Sequence, residues 1–494
     1  MAQPLGNSVP RSGNALIDGL IQGSKWSSGA LTYSLWDIPD FGNWDANSKA
    51  IVDYAFAQYS SVANLSFAYR PNTVYRPDSA FEGRNYSTDI EFLLTGDIQA
   101  AAFGSVGLGV FPDTRTGSLF LQELEITRSD FPNIEGSIYL DNFQLPFQGG
   151  SLPGGLGFTT ILHEIGHSLG LKHPHDGGGN ARPTFAQLGI SSLDSAEYTV
   201  MSYDEAQGAT LPFGNPGTLM PLDILAIQYL YGANRSYHSG NDTYTLVDDR
   251  VIETLWDAGG TDLVDATQVK SAVMLNLNPG ALSSVGSTLG AVAYNTWVEN
   301  AFGSAFADTL YGNEISNQLE GRDGNDTIDG GQGNDNINGN RGNDIVQGSQ
   351  GDDLLQGGQG EDAVNGNAGN DEVFGNIGFD TVRGGQGNDI LRGGQNDDQL
   401  FGDLGNDTLF GDLGNDQLTG GEGADRFVFL ENSGNDTIFD FQFAQGDRIA
   451  IQTGATYEVR SSGDAALIAF QNGSSVLLAG ISAAAVQADW FVAA

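Results

Sequence analysis

The 494-residue chain contains no cysteine, so disulfides, thiolate metal sites and thiol catalysis are excluded. Basic residues are scarce: 20 Lys and Arg stand against 62 Asp and Glu, a formal net charge of −42. A surface of that sign repels phosphate backbones, which argues against a nucleic-acid partner. There are only five histidines, so any clustering among them carries information. No apolar run approaches the ~20 residues of a membrane-spanning helix. The first thirty residues lack the charged start and apolar core of a cleaved secretory signal. The chain is therefore expected either to stay in the cytoplasm or to leave by a route that ignores the N-terminus. Glycine, by contrast, is abundant at 70 residues, about twice its ordinary ~7% share. At ~100–200 residues per domain, the length predicts two to four domains.

Residues 1–235 read as mixed globular sequence. Alternating stretches at 31–35 and 90–93 predict strands, and residues 48–61 predict a helix whose apolar face carries Ile51, Tyr54, Ala55 and Tyr59. Residues 236–302 are richer in Val, Leu and Thr and read as strands. From 303 to 428 the chain divides into fourteen consecutive nonapeptides in one register. The first two are degenerate; the other twelve, over 321–428, include GGQGNDNIN, GGQGNDILR and GDLGNDTLF. Position 1 is always Gly. Position 4 is Gly in eleven units (Gly324, Gly333, Gly342, Gly351, Gly360, Gly369, Gly378, Gly387, Gly405, Gly414 and Gly423), with Asn396 the exception. Position 6 is always Asp: Asp326, Asp335, Asp344, Asp353, Asp362, Asp371, Asp380, Asp389, Asp398, Asp407, Asp416 and Asp425. Position 8 is always Ile, Val, Leu or Phe.

A flexible acidic linker has no reason to hold Asp and an aliphatic residue in fixed register. A stacked fold does. The first six residues of a unit form a turn, the last three a short strand whose position-8 side chain points inward. One unit cannot bury that side chain alone, but a parallel stack can. Residues 303–428 hold 24 acidic and 5 basic side chains, and such charge repels itself in a compact state. A hard divalent cation with oxygen ligands turns that repulsion into coordination. Calcium is therefore expected along the turns, from the position-4 glycines and position-6 aspartates, contributing much of the folding free energy. Extracellular calcium modules bind at ~10⁻⁴–10⁻³ M, so this segment is expected to be unfolded inside a cell and folded outside. The pattern resembles the repeats-in-toxin family.

Residues 158–174 read FTTILHEIGHSLGLKHP and contain H-E-x-x-H-x-x-G-x-x-H: His163, Glu164, His167, Gly170 and His173. Phe158, Ile161, Leu162, Ile165 and Leu169 predict an apolar helical stripe. His163 and His167, four apart, project together from another face and can grip one zinc ion. Gly170 permits the sharp turn that returns His173 as third ligand. Glu164 is expected beside the metal-bound water, whose pKa zinc lowers to ~7. It would act as general base and pass the proton to the leaving amine. A structural zinc site would usually be closed by four protein ligands and has no use for the glutamate.

Twenty-eight residues past His173 lies Met201, within DSAEYTVMSY. The longer histidine motif followed by such a segment resembles the metzincins, in which a Met turn lies beneath the metal. With Tyr203 two residues after the Met, it resembles the serralysin branch. That resemblance implies Tyr203 as an additional zinc ligand that swings away to stabilise the oxyanion. Asp204 departs from the aromatic residue common there. PLDILAIQYLYGAN at 221–234 and NALIDGLIQGSKW at 14–26 resemble serralysin segments. WDAGGTD at 256–262 looks like a family calcium loop, implying Asp257, Gly259, Gly260 and Asp262 as ligands with Glu299 beside them. GNDTIFDFQFAQGDRIAI at 434–451 resembles the segment that follows such repeats in secreted enzymes. Asp489-Trp490-Phe491-Val492 near the end looks like the uncleaved signal of type I secretion, although two Ala follow. The likeness is weakest over 60–155, where substrate subsites should lie. His175 and His238 match no ligand position and are expected to be solvent-exposed.

The expectation is an α+β metzincin catalytic domain (1–235), a strand-rich connecting part (236–302), an all-β parallel β-roll binding calcium (303–428), and a cap with secretion signal (429–494). The function implied is a secreted, monomeric, calcium-stabilised zinc endopeptidase acting on protein or peptide substrates and exported by type I secretion machinery. Two rivals remain: a calcium-dependent surface or adhesion protein with an inactive protease domain, and a zinc hydrolase of esters or small amides.

Overall fold

The computed structural model describes residues 9–23, 25–36, 44, 46–71, 89–95, 107–109, 137–141, 153–176, 182–203, 215–247, 251, 253–286, 288–430 and 432–494. Among the described residues of the N-terminal part, five strands form one sheet: β1 (Ala30–Trp36), β2 (Ser66–Tyr69), β3 (Ile90–Thr95), β4 (Gly107–Gly109) and β5 (Ser137–Asp141). Their order is β2-β1-β3-β5-β4, parallel except for β4. Around it lie α1 (Ala15–Asp18), α2 (Ala46–Val62), α3 (Leu156–Leu169), α4 (Phe185–Leu188) and α5 (Pro221–Tyr231). The strands expected at 31–35 and 90–93 are β1 and β3.

The helix expected at 48–61 is α2, but its buried face is shifted from the sequence reading. Val52, Ala55, Phe56 and Tyr59 face inward, whereas Tyr54 is 45% exposed. Phe56 wins the inward position because Tyr33, Phe67 and Phe92 surround it with ring contacts at 4.2–5.8 Å. The stripe expected on α3 is realised: Phe158, Ile161, Leu162, Ile165 and Leu169 are fully buried. Three aromatic donors from elsewhere pin this helix by its carbonyls. Tyr59 donates to Leu162 O at 2.7 Å, Trp26 Nε1 to Ser168 O at 2.9 Å, and Tyr231 to Leu169 O at 2.8 Å.

The C-terminal part is a parallel β-solenoid whose two faces are a fifteen-stranded and a twelve-stranded sheet. Successive nonapeptides go to opposite sheets, so each strand pairs with the one eighteen residues on, as in Ile328↔Val346 and Ile337↔Leu355. Every position-8 side chain from Ile328 to Phe427 lies between the sheets at 0–1% exposure. Position 4 is left-handed at ten of its eleven glycines and at Asn396, and at the glycines the turn below leaves little room for a side chain. At Gly342, φ is 131° and a Cβ would stand 1.3 Å from the Gly324 carbonyl oxygen of the turn below. The degenerate units join the stack through Thr309–Tyr311 and Gln318–Asp323. The strands expected in 236–302 are present and extend the same two sheets, for example Leu263–Asp265 and Val273–Asn276. At the other end an antiparallel hairpin, Tyr457–Ser462 with Ala465–Phe470, closes one sheet, and Phe491–Ala493 pairs with the strand Arg448–Ile451 on the other. Among the described residues no helix is long and apolar enough to cross a membrane.

Candidate active site and metal-binding turns

Helix α3 stops where the sequence reading places its bend. Gly170 has φ 107°, and its N–H and that of Leu171 return to the carbonyls of His167 and Gly166. The reversed chain brings His173 back over the helix. Its Nε2 lies 3.1 Å from His163 Nε2 and 3.0 Å from His167 Nε2. Each ring's other nitrogen meets an acceptor: His163 Nδ1 donates to Val200 O at 2.7 Å, His167 Nδ1 to Leu171 O at 3.0 Å, and His173 Nδ1 to Asp176 Oδ2 at 2.5 Å. These acceptors assign the ring protons to Nδ1, leaving three Nε2 lone pairs aimed at one point. Burial lowers His163 to about 4 and His173 to about 3, and takes His167 well below its ordinary value. All three rings are neutral at pH 7. Ligands 2.0–2.1 Å from a tetrahedral ion stand roughly 3.3 Å apart, so the trio fits zinc, with each imidazole oriented from behind.

Glu164 follows the first histidine and is 4% exposed. Its carboxylate lies near enough to Tyr59 and Tyr203 to raise both phenols, adding to the effect of burial. Tyr203 is therefore protonated at neutral pH and can donate a hydrogen bond. Its ring is 60% exposed and stands among three imidazoles, with centroids 5.4 Å from His163, 4.3 Å from His173 and 5.3 Å from His175. Met201 is fully buried beneath the helix. A Cβ on Gly166 would come within 2.7 Å of the Met201 sulfur, so any larger residue at the second x of the motif would push the Met201 side chain out of its present place.

Four supporting groups escaped the sequence reading. Asp223, at the third position of α5, accepts from Thr199 Oγ1 at 2.6 Å, Val200 N at 2.8 Å and Met220 N at 3.0 Å. It thereby fixes the Val200 carbonyl that orients His163, while burial pushes its own carboxyl up to about 7. Lys172, 1% exposed, donates to the carbonyls of His173 at 3.1 Å and Asp176 at 2.8 Å, and burial lowers it to about 8. Asp176 and Gly166 complete the set. An acid placed just after a Pro that begins a helix is the one such signal a sequence offers; the others depend on chain reversal. Asp204 lies outside the described residues, as does most of 60–155.

His175 and His238 are exposed, as expected, but neither is isolated. His175 lies parallel to His173 with centroids 5.2 Å apart. His238 Nδ1 is 3.3 Å from Asp242 Oδ2 and groups with Asp257. That second cluster adjoins the segment expected to form a calcium loop and shares Asp257 with it. Gly259 N donates to Asp257 Oδ1 at 2.7 Å, Asp242 N to Asp262 Oδ1 at 2.8 Å, and Asp262 N to Glu299 Oε2 at 2.8 Å. Gly260 packs against the Gly240 carbonyl, and Asp262 Oδ2 is buried without a hydrogen-bond partner.

Along the solenoid the position-6 aspartates form two columns. In each of the twelve, Oδ1 accepts the backbone N–H of the residue eighteen earlier at 2.8–3.0 Å. In each, Oδ2 is buried and has no hydrogen-bond partner. Burial pushes these carboxyls up, with acidic neighbours adding to it, as far as about 8 at Asp398. Twelve desolvated anionic oxygens beside turn carbonyls fit a hard cation. Asp308, Asp436 and Asp447 continue the columns beyond the twelve regular units.

One helix carrying two of the three converging imidazoles and the buried glutamate, joined to an acidic solenoid, defines a candidate metal-binding architecture. Comparison with known proteins agrees. Residues 223–460 match the family described as peptidase M10 serralysin C terminal. The chain is 30% identical over 324 residues to the metallopeptidase AprA of Pseudomonas marginalis, covering 60% of each chain. It is 35% identical over 191 residues to a serralysin of Proteus mirabilis, covering 35% of this chain and 38% of that one. With serralysin C of Dickeya chrysanthemi it shares 37% over 172 residues, 31% of this chain and 36% of the relative. The chain is serralysin-like, and it spans about 60% of the length of the first of these relatives and less of the others.

Proposed function

We propose that the protein is a secreted zinc endopeptidase whose solenoid is stabilised by calcium, with residues 1–235 as the catalytic domain and 236–494 as the connecting part, β-roll and cap. The observation that carries this reading is the convergence of three neutral Nε2 atoms beside a buried glutamate. His163, His167 and His173 would hold zinc. When bound, zinc supplies a Lewis acid that polarises a carbonyl and lowers the pKa of a water to ~7.

The chain's own residues account for the rest. Asp176, Val200 and Leu171 keep the three ring protons away from the site, so no imidazole competes as a proton donor. Glu164 takes the proton of the attacking water and returns it to the leaving nitrogen. The Tyr203 phenol, held protonated, donates a hydrogen bond to the developing oxyanion. Tyr203 also serves as an additional ligand in the resting site under this reading. In the solenoid, Gly324 to Gly423 at position 4 and Asp326 to Asp425 at position 6 would supply the calcium oxygens, with Asp257, Gly259, Gly260, Asp262 and Glu299 forming a separate calcium loop. Protein or peptide substrates, export through type I machinery using the C-terminal segment, and a monomeric state complete the proposal.

A casein-cleavage assay tests it. Cleavage should be abolished by a chelator and restored only when zinc and calcium are both returned. Absence of cleavage by the zinc- and calcium-loaded protein would favour the adhesion rival. Cleavage of esters but of no peptide in a library would favour the third reading.

A further inference from the structure

The three candidate ligand rings are each fixed through Nδ1, by Val200 O, Leu171 O and Asp176 Oδ2. Tyr203 is different: its ring is 60% exposed, and a phenol that must meet one oxygen has to be kept in one place. The rings around it do this. Those of His163 and His173 belong to the candidate metal ligands, but His175 does not. Its ring lies 5.3 Å from Tyr203 and is parallel to His173, at an interplanar angle of 1°. His175 also faces an acid that is tied to the same segment as the phenol. Its Nδ1 faces Asp194 Oδ2 at 3.6 Å, and the other oxygen of Asp194 accepts from Ser202 Oγ at 2.6 Å. Ser202 is the residue immediately before Tyr203. One carboxylate thus links the backbone that carries the phenol to the imidazole flanking its ring.

We propose that His175, whose ring is stacked on His173 and flanks the phenol, is a positioning residue that holds the Tyr203 ring in its catalytic place. The inference rests on the endopeptidase reading above. His175 touches neither the scissile group nor the candidate metal; it acts through Tyr203. The His175 and Tyr203 rings meet at a tilt of 42°, and aromatic contacts at such spacing are worth up to about tenfold in an equilibrium, which sets the size of the effect.

The test uses the full-length protein. With 3-fluorotyrosine incorporated, the fluorine resonance of Tyr203 is identified by its absence in Tyr203→Phe. His175→Ala should shift and broaden that resonance in both metal-free and zinc-loaded protein, and His175→Phe, which keeps a flat ring, should largely restore it. In peptide cleavage, His175→Ala should lower kcat about tenfold with KM within twofold, and His175→Phe should recover most of the loss. In a Tyr203→Phe background, His175→Ala should cost less than twofold, because the group it positions is gone. An unmoved fluorine resonance would overturn the proposal, as would equal losses in both backgrounds. Failure of the parent reading looks different: cleavage would be absent in wild type, or full in Tyr203→Phe, whatever the resonance does.

Discussion

The histidine cluster and the aspartate ladder both present lone pairs to a buried space, yet they are built in opposite ways. At the cluster every ring has its second nitrogen satisfied, so the three Nε2 atoms converge in neutral form with no charge to offset. On the ladder each carboxylate has one oxygen bonded to a backbone N–H and one buried with nothing to bond. The first arrangement can persist while waiting for its metal. The second carries the cost of desolvated like charge in every turn until a cation arrives. Under the proposed function, the catalytic centre has its geometry prepared by protein hydrogen bonds, while the ladder leaves part of its stability to the ligand.

Removing calcium should produce the largest effect. At pH 7–8 the calcium-free protein is expected to lose most of its circular-dichroism strand signal and to recover it near millimolar calcium; an unchanged spectrum would erase the contrast. Acidity should partly replace the cation. The ladder carboxyls rise from an ordinary value of 3.8 to about 6 at Asp326, about 7 at Asp371 and about 8 at Asp398 in the folded state. Raised folded values give stability that is complete below the ordinary value and lost as pH climbs through 6 to 8. Dialysed, calcium-free protein should therefore gain strand signal on going from pH 8 to about pH 4.5, whereas a further loss would reverse the sign of the argument.

On the other side of the comparison, Asp176→Ala removes the acceptor behind His173 without touching a candidate ligand. Zinc affinity, measured by competition with a chelating dye, should fall 10- to 100-fold, with the melting temperature of the zinc-free protein little changed. Smallest of all should be Asn388→Ala, on the exposed face of the turns, where Asn388 Oδ1 accepts from Asn406 N at 2.9 Å. Chemical denaturation in calcium should move by no more than about 0.5 kcal/mol.

What was legible from sequence is what is local or repeated. The three histidines fall within eleven residues, so helix periodicity and one glycine suffice to bring them together. The ladder repeats its reasons twelve times. The period was only half legible: nine residues make a strand, but eighteen make a turn, because alternate units go to opposite sheets. The unread parts depend on partners distant in sequence. Asp223 reaches Val200 across 23 residues, and through it His163. Gly166 leaves room for the sulfur of Met201, thirty-five positions on. The inward face of α2 moved from Tyr54 to Phe56 because three aromatic rings from the sheet receive Phe56. His175, exposed as expected, gains its interest only from the parallel ring beside it.

The central claim is that the trio holds the metal and Glu164 moves the proton, two roles that a single variant separates. Glu164→Ala should bind one zinc per chain by elemental analysis, as the parent does, while its peptide-cleavage kcat falls by about 10³- to 10⁴-fold. A variant that keeps its zinc and cuts at the parental rate would contradict the account.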